Sequence, residues 1–124
     1  MGNMTDDKIT IEEIRKYACK FLDDRDWRKF HSPKNVSIAI TTEASELLEI
    51  FRFKSDEEIE ELLKTEEREK VEDELSDILL NVLRFSEINN IDLASALENK
   101  IIKSEKKYPV EKCKGKNKKY NEYN

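Results

Sequence analysis

The stretch PKNVSIAITTEASELLEIFRF, Pro33 to Phe53, decides the fold. Val36, Ile40, Leu47 and Phe51 recur at helical spacing, so it reads as one helix. Glu43 and Glu46 interrupt that pattern. At about 100° per residue, Glu43 points between Val36, Leu47 and Ile50, inside the apolar arc. Glu46 lies about 60° to one side, one turn on. A carboxylate aimed at a core is costly unless it is paired or binds a metal. Two of them three residues apart share a face, and like charges so close call for a cation between them.

Outward from this helix the chain reads as further helices. Thr10 can cap a first helix running to about Asp24, with Glu12 and Glu13 in its first turn, where carboxylates suit the helix dipole. Ile11, Ile14, Ala18, Phe21 and Leu22 form its apolar stripe. DDRDWRKFHSPKN mixes charge with aromatic residues and ends in Ser-Pro, which predicts an ordered turn, with Phe30 and Phe21 assigned to the core. On the other side, Ser55 followed by Glu58 is a capping-box pattern, and Ile59, Leu62 and Leu63 give a short amphipathic helix. Thr65 is a second candidate cap for a long helix from about Glu66 to Glu87. That helix carries a broad arc of Val71, Leu75, Ile78, Leu79, Val82 and Leu83. One partner helix cannot cover so much apolar surface, so it is expected to be central or at a subunit interface. Asn89-Asn90 ends it, Asp92 caps a last helix from Leu93 to about Lys106, and Tyr108-Pro109 stops that one. The expected organisation is a disordered N-terminus over 1–8, one helical domain over 9–109 and an extended Lys-rich tail over 110–124, with Tyr108 assigned to packing.

Composition agrees. The chain has 124 residues, 41% charged and 37% hydrophobic, with only two Gly and two Pro, which suits long helices with solvated outer faces. A net charge of −5 argues against a nucleic-acid surface. No apolar run is long enough to span a membrane, and MGNMTDDK is polar and acidic, unlike a signal peptide. Cys19 and Cys113 read as free thiols of a reducing compartment, so the expected location is cytoplasmic. A single histidine excludes histidine-rich zinc sites.

The long helix has its own acidic pair, Glu74 and Asp77, with Asn81 one turn further. ExxE at 43–46 and ExxD at 74–77 therefore stand on two helices, and if these pack antiparallel, four carboxylates converge. Hard oxygen donors of this kind suit Mg²⁺ or Mn²⁺. A di-iron bundle would need two ExxH motifs, and His31 belongs to none.

ExxE, then 27 residues, then ExxD in an all-α chain of this length resembles the MazG-like nucleoside triphosphate pyrophosphohydrolases. RDWRKFHSPKN at 25–35, AITTEASELLEIFRF at 39–53, VEDELSDILL at 71–80, KKYP at 106–109 and KKYNE at 118–122 look like the dCTP pyrophosphatase branch. The resemblance implies an all-α, MazG-like helical bundle completed by homo-oligomerisation, as dimer or tetramer. It implies Mg²⁺-dependent hydrolysis of a (deoxy)nucleoside triphosphate, dCTP or a modified dCTP, to the monophosphate and pyrophosphate, as in nucleotide-pool sanitation. It assigns the metal to Glu43, Glu46, Glu74 and Asp77, the base pocket to Trp27, Phe53 and the region of His31, and phosphate contacts to Lys100 and Lys107. Phe53 and Asn81 stand where the branch often has Trp and Tyr, Ser104 where it often has Asn, and Ala18 where some relatives have His; Asn81 is kept among the substrate-binding candidates.

The residues fit this chemistry on their own terms. Phosphoryl and nucleotidyl transfer are mostly positioning plus charge neutralisation. Water attacks in line at the α-phosphorus, with Glu43 or Glu46 accepting its proton, Glu46 being the preferred base. Trp27 can stack on a base, or serve as a loop anchor. His31 reaches the base or pins the turn. Lys100, Lys103 and Lys107 share a face and suit the leaving pyrophosphate. The alternative is a helical dimer that binds metal or nucleotide without turnover, as a regulatory or assembly module.

Overall fold

The computed structural model describes residues 2–123; Met1 of the N-terminal segment and Asn124 of the tail lie outside them. Among the described residues the regular elements are all helical: α1 (Ile11–Asp23), α2 (Pro33–Phe51), α3 (Asp56–Leu62), α4 (Arg68–Ile88), α5 (Leu93–Lys107) and α6 (Val110–Cys113), with 3₁₀ turns at Arg28–Phe30 and Tyr120–Glu122. The all-α expectation therefore holds. The chain forms two compact units, one up to Asn90 and one from Ile91.

Local chemistry sets the helix ends in the first unit. Thr10 Oγ1 accepts the Glu13 N–H at 3.1 Å while Glu13 Oε1 accepts the Thr10 N–H at 3.1 Å, a reciprocal cap. Ser55 and Glu58 repeat this at α3. Ser32 Oγ accepts the Asn35 N–H, and Pro33 fills the first position of α2, where its missing N–H costs nothing. Asp26 and Asn90 take left-handed backbone angles, φ 55° and 53°, which short polar side chains tolerate; they follow α1 and α4. The long helix starts at Arg68, two residues later than expected. Thr65 Oγ1 takes the Glu67 N–H, so it caps a turn ahead of α4, and α4 begins without a side-chain cap.

The core lies where α4 packs on α2 and α1. Val36, Leu83, Cys19 and Leu22 are buried in it. His31, just ahead of α2, meets Arg84 late in α4, while Glu43 and Glu46 meet Glu74 early in α4. The two helices therefore run antiparallel. Phe21 and Phe30 are not core residues: they are 43% and 59% exposed. Phe21, late in α1, and Phe30, in the 3₁₀ turn after it, lie at the rim of the core, where Phe21 instead receives the edge of Trp27 and the guanidinium of Arg25.

The second unit comprises α5, α6 and the tail. Asp92 Oδ1 caps α5 through the Ser95 N–H at 2.9 Å. The tail is not extended as the sequence suggested. Val110–Cys113 forms one helical turn, and the chain then returns so that the Tyr108 hydroxyl accepts the Tyr120 N–H. The Tyr108 ring meets Tyr120 and Tyr123 edge-on at 6.4 and 6.1 Å. Tyrosines spaced through the tail thus close a small aromatic cluster, which its Lys-rich composition hides. Tyr108 does pack, as expected.

Candidate metal and nucleotide site

The middle of α2 is rich in residues that ordinarily compete with a helix. Ser37, Thr41, Thr42 and Ser45 resolve this by donating their hydroxyls to carbonyls four residues back, a recurrent solution for helical Ser and Thr. Glu43 and Glu46, interleaved with them, are turned to α4 instead. One carboxylate oxygen each from Glu43, Glu46 and Glu74 lie within 4.8 Å of one another. Glu43 and Glu74 are half-buried and Glu46 is exposed. Oε2 of Glu43 and Oε2 of Glu74 are buried and receive no hydrogen bond.

Buried carboxylate oxygens without donors are costly. Burial first, then the adjacent Glu46 carboxyl and the Asp77 charge, push the Glu43 carboxyl up to about 7. Burial and Glu46 also raise Glu74. These three residues fit a divalent cation: an all-oxygen set, anionic, converging, with its inner oxygens unsatisfied. Asp77 raises Glu43 and Glu74 through its charge but is not one of the three converging residues. It faces α1 and lines an open cavity of about 600 Å³ between α1 and α4. The walls of that cavity are mainly Ala18, Phe21, Leu79, Leu80 and Leu83.

The remaining expected site residues lie outside that trio. Trp27 is 41% exposed and leans edge-on against Phe21 at 6.0 Å, one residue removed from the cavity wall. His31 is pinned: its Nδ1 accepts the Arg84 Nε–H at 2.9 Å, and burial together with the Arg84 charge lowers its pKa. Asn81 gives its Nδ2–H to the Asp77 carbonyl at 2.9 Å, steadying the turn of α4 that carries Asp77. Phe53 lies past the end of α2, 81% exposed, with Arg52 over its ring. Lys100 and Lys107 belong to α5; the Lys107 ammonium sits over the Tyr120 ring at 4.8 Å.

Arg84 escaped the sequence reading. Its side chain is buried and holds Asp23 at 2.5 Å, Glu87 at 3.3 Å and His31, joining α1, α4 and the turn before α2. The available signal was one arginine inside the apolar run LLNVLRF.

An antiparallel pair of helices that brings Glu43 and Glu46 of α2 and Glu74 of α4 to one anionic centre beside an apolar cleft defines a helical protein with a carboxylate group that could hold a metal ion. Similarity to known proteins narrows that class. The model of the MazG-like family matches residues 38–123, and the chain belongs to this family. It is 35% identical over 107 residues to dCTP pyrophosphatase 1 of Rattus norvegicus, covering 86% of this chain and 63% of that protein. It is 32% identical over 114 residues to the Homo sapiens protein of the same name, covering 91% and 67%. The chain thus spans about 63% of the length of the rat relative. Among solved structures, a pyrophosphatase from Archaeoglobus fulgidus superposes with a TM-score of 0.75 at 34% identity, covering 86% of this chain and 99% of that one.

Proposed function

We propose that this protein hydrolyses (deoxy)nucleoside triphosphates, dCTP among them, to the monophosphate and pyrophosphate with Mg²⁺ or Mn²⁺ as cofactor. The observation that carries this reading is the convergence of Glu43, Glu46 and Glu74 oxygens within 4.8 Å, two of those residues holding an unsatisfied buried oxygen. The names of the relatives support it. Glu43, Glu46 and Glu74 would hold the cation, with Asp77 beside them. When bound, a divalent cation offsets the charge of phosphate oxygens and lowers the pKa of water.

The chain's own residues do the rest. The cleft next to Asp77 receives the nucleoside, since its size suits a small-molecule site and its Phe21 and leucine walls suit a base. A water oxygen forms the new bond to the α-phosphorus and the bond from that phosphorus to the α,β-bridging oxygen breaks. The pair of electrons leaves with pyrophosphate. Glu46, the exposed member of the three, takes the water's proton; Glu43, more buried, serves to hold charge. Lys100 and Lys107 supply positive charge for the phosphates. A second copy of the chain completes the bundle, and the reaction belongs to the cytoplasm. No helix among the described residues is long and apolar enough to cross a membrane.

The test is incubation with each dNTP and Mg²⁺, followed by chromatography for monophosphate and pyrophosphate. Glu46→Gln and Asp77→Asn should each lower turnover by about 100-fold or more with unchanged circular dichroism. Full activity in both variants would overturn the site assignment. Nucleotide binding without turnover in the wild type would leave a binding module in place of an enzyme.

A further inference from the structure

We infer that Arg84 and His31 form a proton-operated latch: Arg84 ties the segment between α1 and α2 to α4 through His31, and lets that segment go when His31 takes up a proton. The segment hangs on little else. From Asp24 to Ser32, within one chain, His31 is the single residue that is not exposed. Trp27 and Phe30, its large apolar side chains, bury too little to hold it in place. Two polar contacts tie it to α4. Arg28 Nη1 reaches both carboxylate oxygens of Glu87 at 2.9 Å, and Arg84 Nε donates to His31 Nδ1 at 2.9 Å. The first pair is open to solvent, where an ion pair contributes little. The second is anchored by a side chain that is 1% exposed.

That second contact exists in one charge state of His31. Nδ1 accepts, so the neutral ring carries its hydrogen on Nε2. A protonated ring has an N–H on both nitrogens. Nδ1–H would then face the Nε–H of Arg84, donor against donor and cation against cation. The surrounding charges are already balanced. Arg84 of α4 and Arg28 of the segment are matched by Asp23 of α1 and Glu87 of α4. Cys19 of α1, the remaining group on Arg84, is a thiol whose ionisation burial pushes up. The Arg84 hydrogen bond holds Asp23 below its ordinary 3.8, so Asp23 stays ionised wherever a histidine titrates. Burial, then the Arg84 charge, lower His31; Asp23 opposes them and Arg28 acts with them. In the freed segment those influences are gone and the ordinary 6.5 returns. Letting go therefore takes up a proton, and falling pH favours it from the ordinary histidine value downward.

What the latch controls follows from the residues it holds. Asp24 and Arg25, at the head of the segment, line the cleft between α1 and α4. Trp27 braces Phe21 of the cleft wall. That end of the cleft is complete only with the latch closed, whatever the cleft binds.

The chain carries one tryptophan and one histidine, and both belong to this segment, so each spectroscopic signal has one source. The experiment follows emission and acrylamide quenching of Trp27 in the full chain from about pH 7.5 to about pH 5, the range of histidine titration. The imidazole resonances of His31 and far-UV circular dichroism are recorded beside them. The expected result is a red shift of Trp27 emission with stronger quenching, at the midpoint of the His31 titration and with helicity unchanged. His31→Gln keeps an acceptor oxygen for Arg84 and takes up no proton, so it should hold the neutral-pH emission throughout. The same transition in His31→Gln would assign the proton to another group, Glu43 among them, and overturn the inference. So would a flat Trp27 signal in the wild type, or separate midpoints for Trp27 and His31. Helicity lost together with the emission shift would mean global unfolding in place of a local release, and would overturn it as well.

Discussion

The carboxyl of Glu43 concentrates the physics of the site. Burial and the neighbouring acids raise it to about 7 from an ordinary 4.5, so the folded, metal-free protein binds this proton more tightly than the unfolded chain does. Between those values the unfolded state holds fewer protons, and stability falls as pH rises from about 4.5 to about 7, then levels. Glu43→Gln should therefore stabilise the metal-free protein at pH 7, by about 1–2 kcal/mol, and flatten that limb of the pH profile in chelator-treated samples. A Tm against pH that is the same in both proteins would count against this account. Mn²⁺ should raise the Tm of the wild type and not that of the variant. Glu74 and Asp77 are next expected to separate. Glu74 belongs to the three converging residues and Asp77 does not, so Glu74→Gln should weaken Mn²⁺ binding without nucleotide more than Asp77→Asn does, by about tenfold in calorimetric titrations. Equal losses would place Asp77 among the resident ligands. The i, i+3 spacing made Glu43, Glu46 and Glu74 legible in the sequence as a converging group, because spacing gives the face on which each stands. It does not give how far along that face the opposing helix reaches, and this is why the position of Asp77 toward α1 was not.

Helix limits were the most legible elements, because capping is local chemistry: Thr10, Ser55 and Asp92 each accept the N–H three residues on. Thr65 shows the limit of that reading, since the same residue type closes a turn two residues too early. Long-range polar contacts were not legible at all. Arg84 joins three elements only once α1 and the turn before α2 have folded against α4, and no spacing rule connects position 84 to 23 and 31. Its removal leaves Asp23 and His31 without their partner, but Asp23 is 45% exposed and can rehydrate. Arg84→Met should accordingly cost about 1–3 kcal/mol, less than the loss of a fully enclosed pair, as read by urea unfolding. Arg84→Lys should recover only part, because one ammonium cannot bridge three partners. The same cluster has an acid signature. Burial and the Arg84 charge lower His31, and the Arg84 hydrogen bond lowers Asp23. For both groups the unfolded chain takes up protons first. Their contributions are lost as pH falls, beginning below the ordinary histidine value of 6.5 and continuing below the Asp23 reference of 3.8. His31→Gln should remove the upper part of that decline in Tm, and a decline unchanged in the variant would show that His31 is not its source.

For the molecule as a whole, the width of the apolar arc on α4 was legible as an excess, and the structure shows where the excess lies. With α1 and α2 both packed on α4, Leu75 remains 57% exposed, and Leu48 of α2 remains 59% exposed. Exposed leucines on long, rigid helices mark an association surface when they gather, and a two-fold pairing of identical chains would bury the same residue twice. The sequence alone does not identify what covers such a surface, because hydrophobic burial is non-directional. Leu75 is the better probe of the two-copy proposal, since it stands on α4 outside the cleft wall whereas Leu79 lines it. Burying a leucine contributes about 1.5–3 kcal/mol, and a two-fold interface loses it twice in Leu75→Glu, about 3–6 kcal/mol. At 1.4 kcal/mol per decade, that weakens association by about 10²- to 10⁴-fold. Sedimentation velocity should therefore show the wild type as a dimer or larger at micromolar concentration and Leu75→Glu as a monomer of unchanged helicity. Turnover should fall with dissociation and return as the protein concentration is raised toward the weakened constant. An assembled Leu75→Glu protein would place the interface elsewhere, and a fully active monomer would show that the carboxylates of one chain suffice.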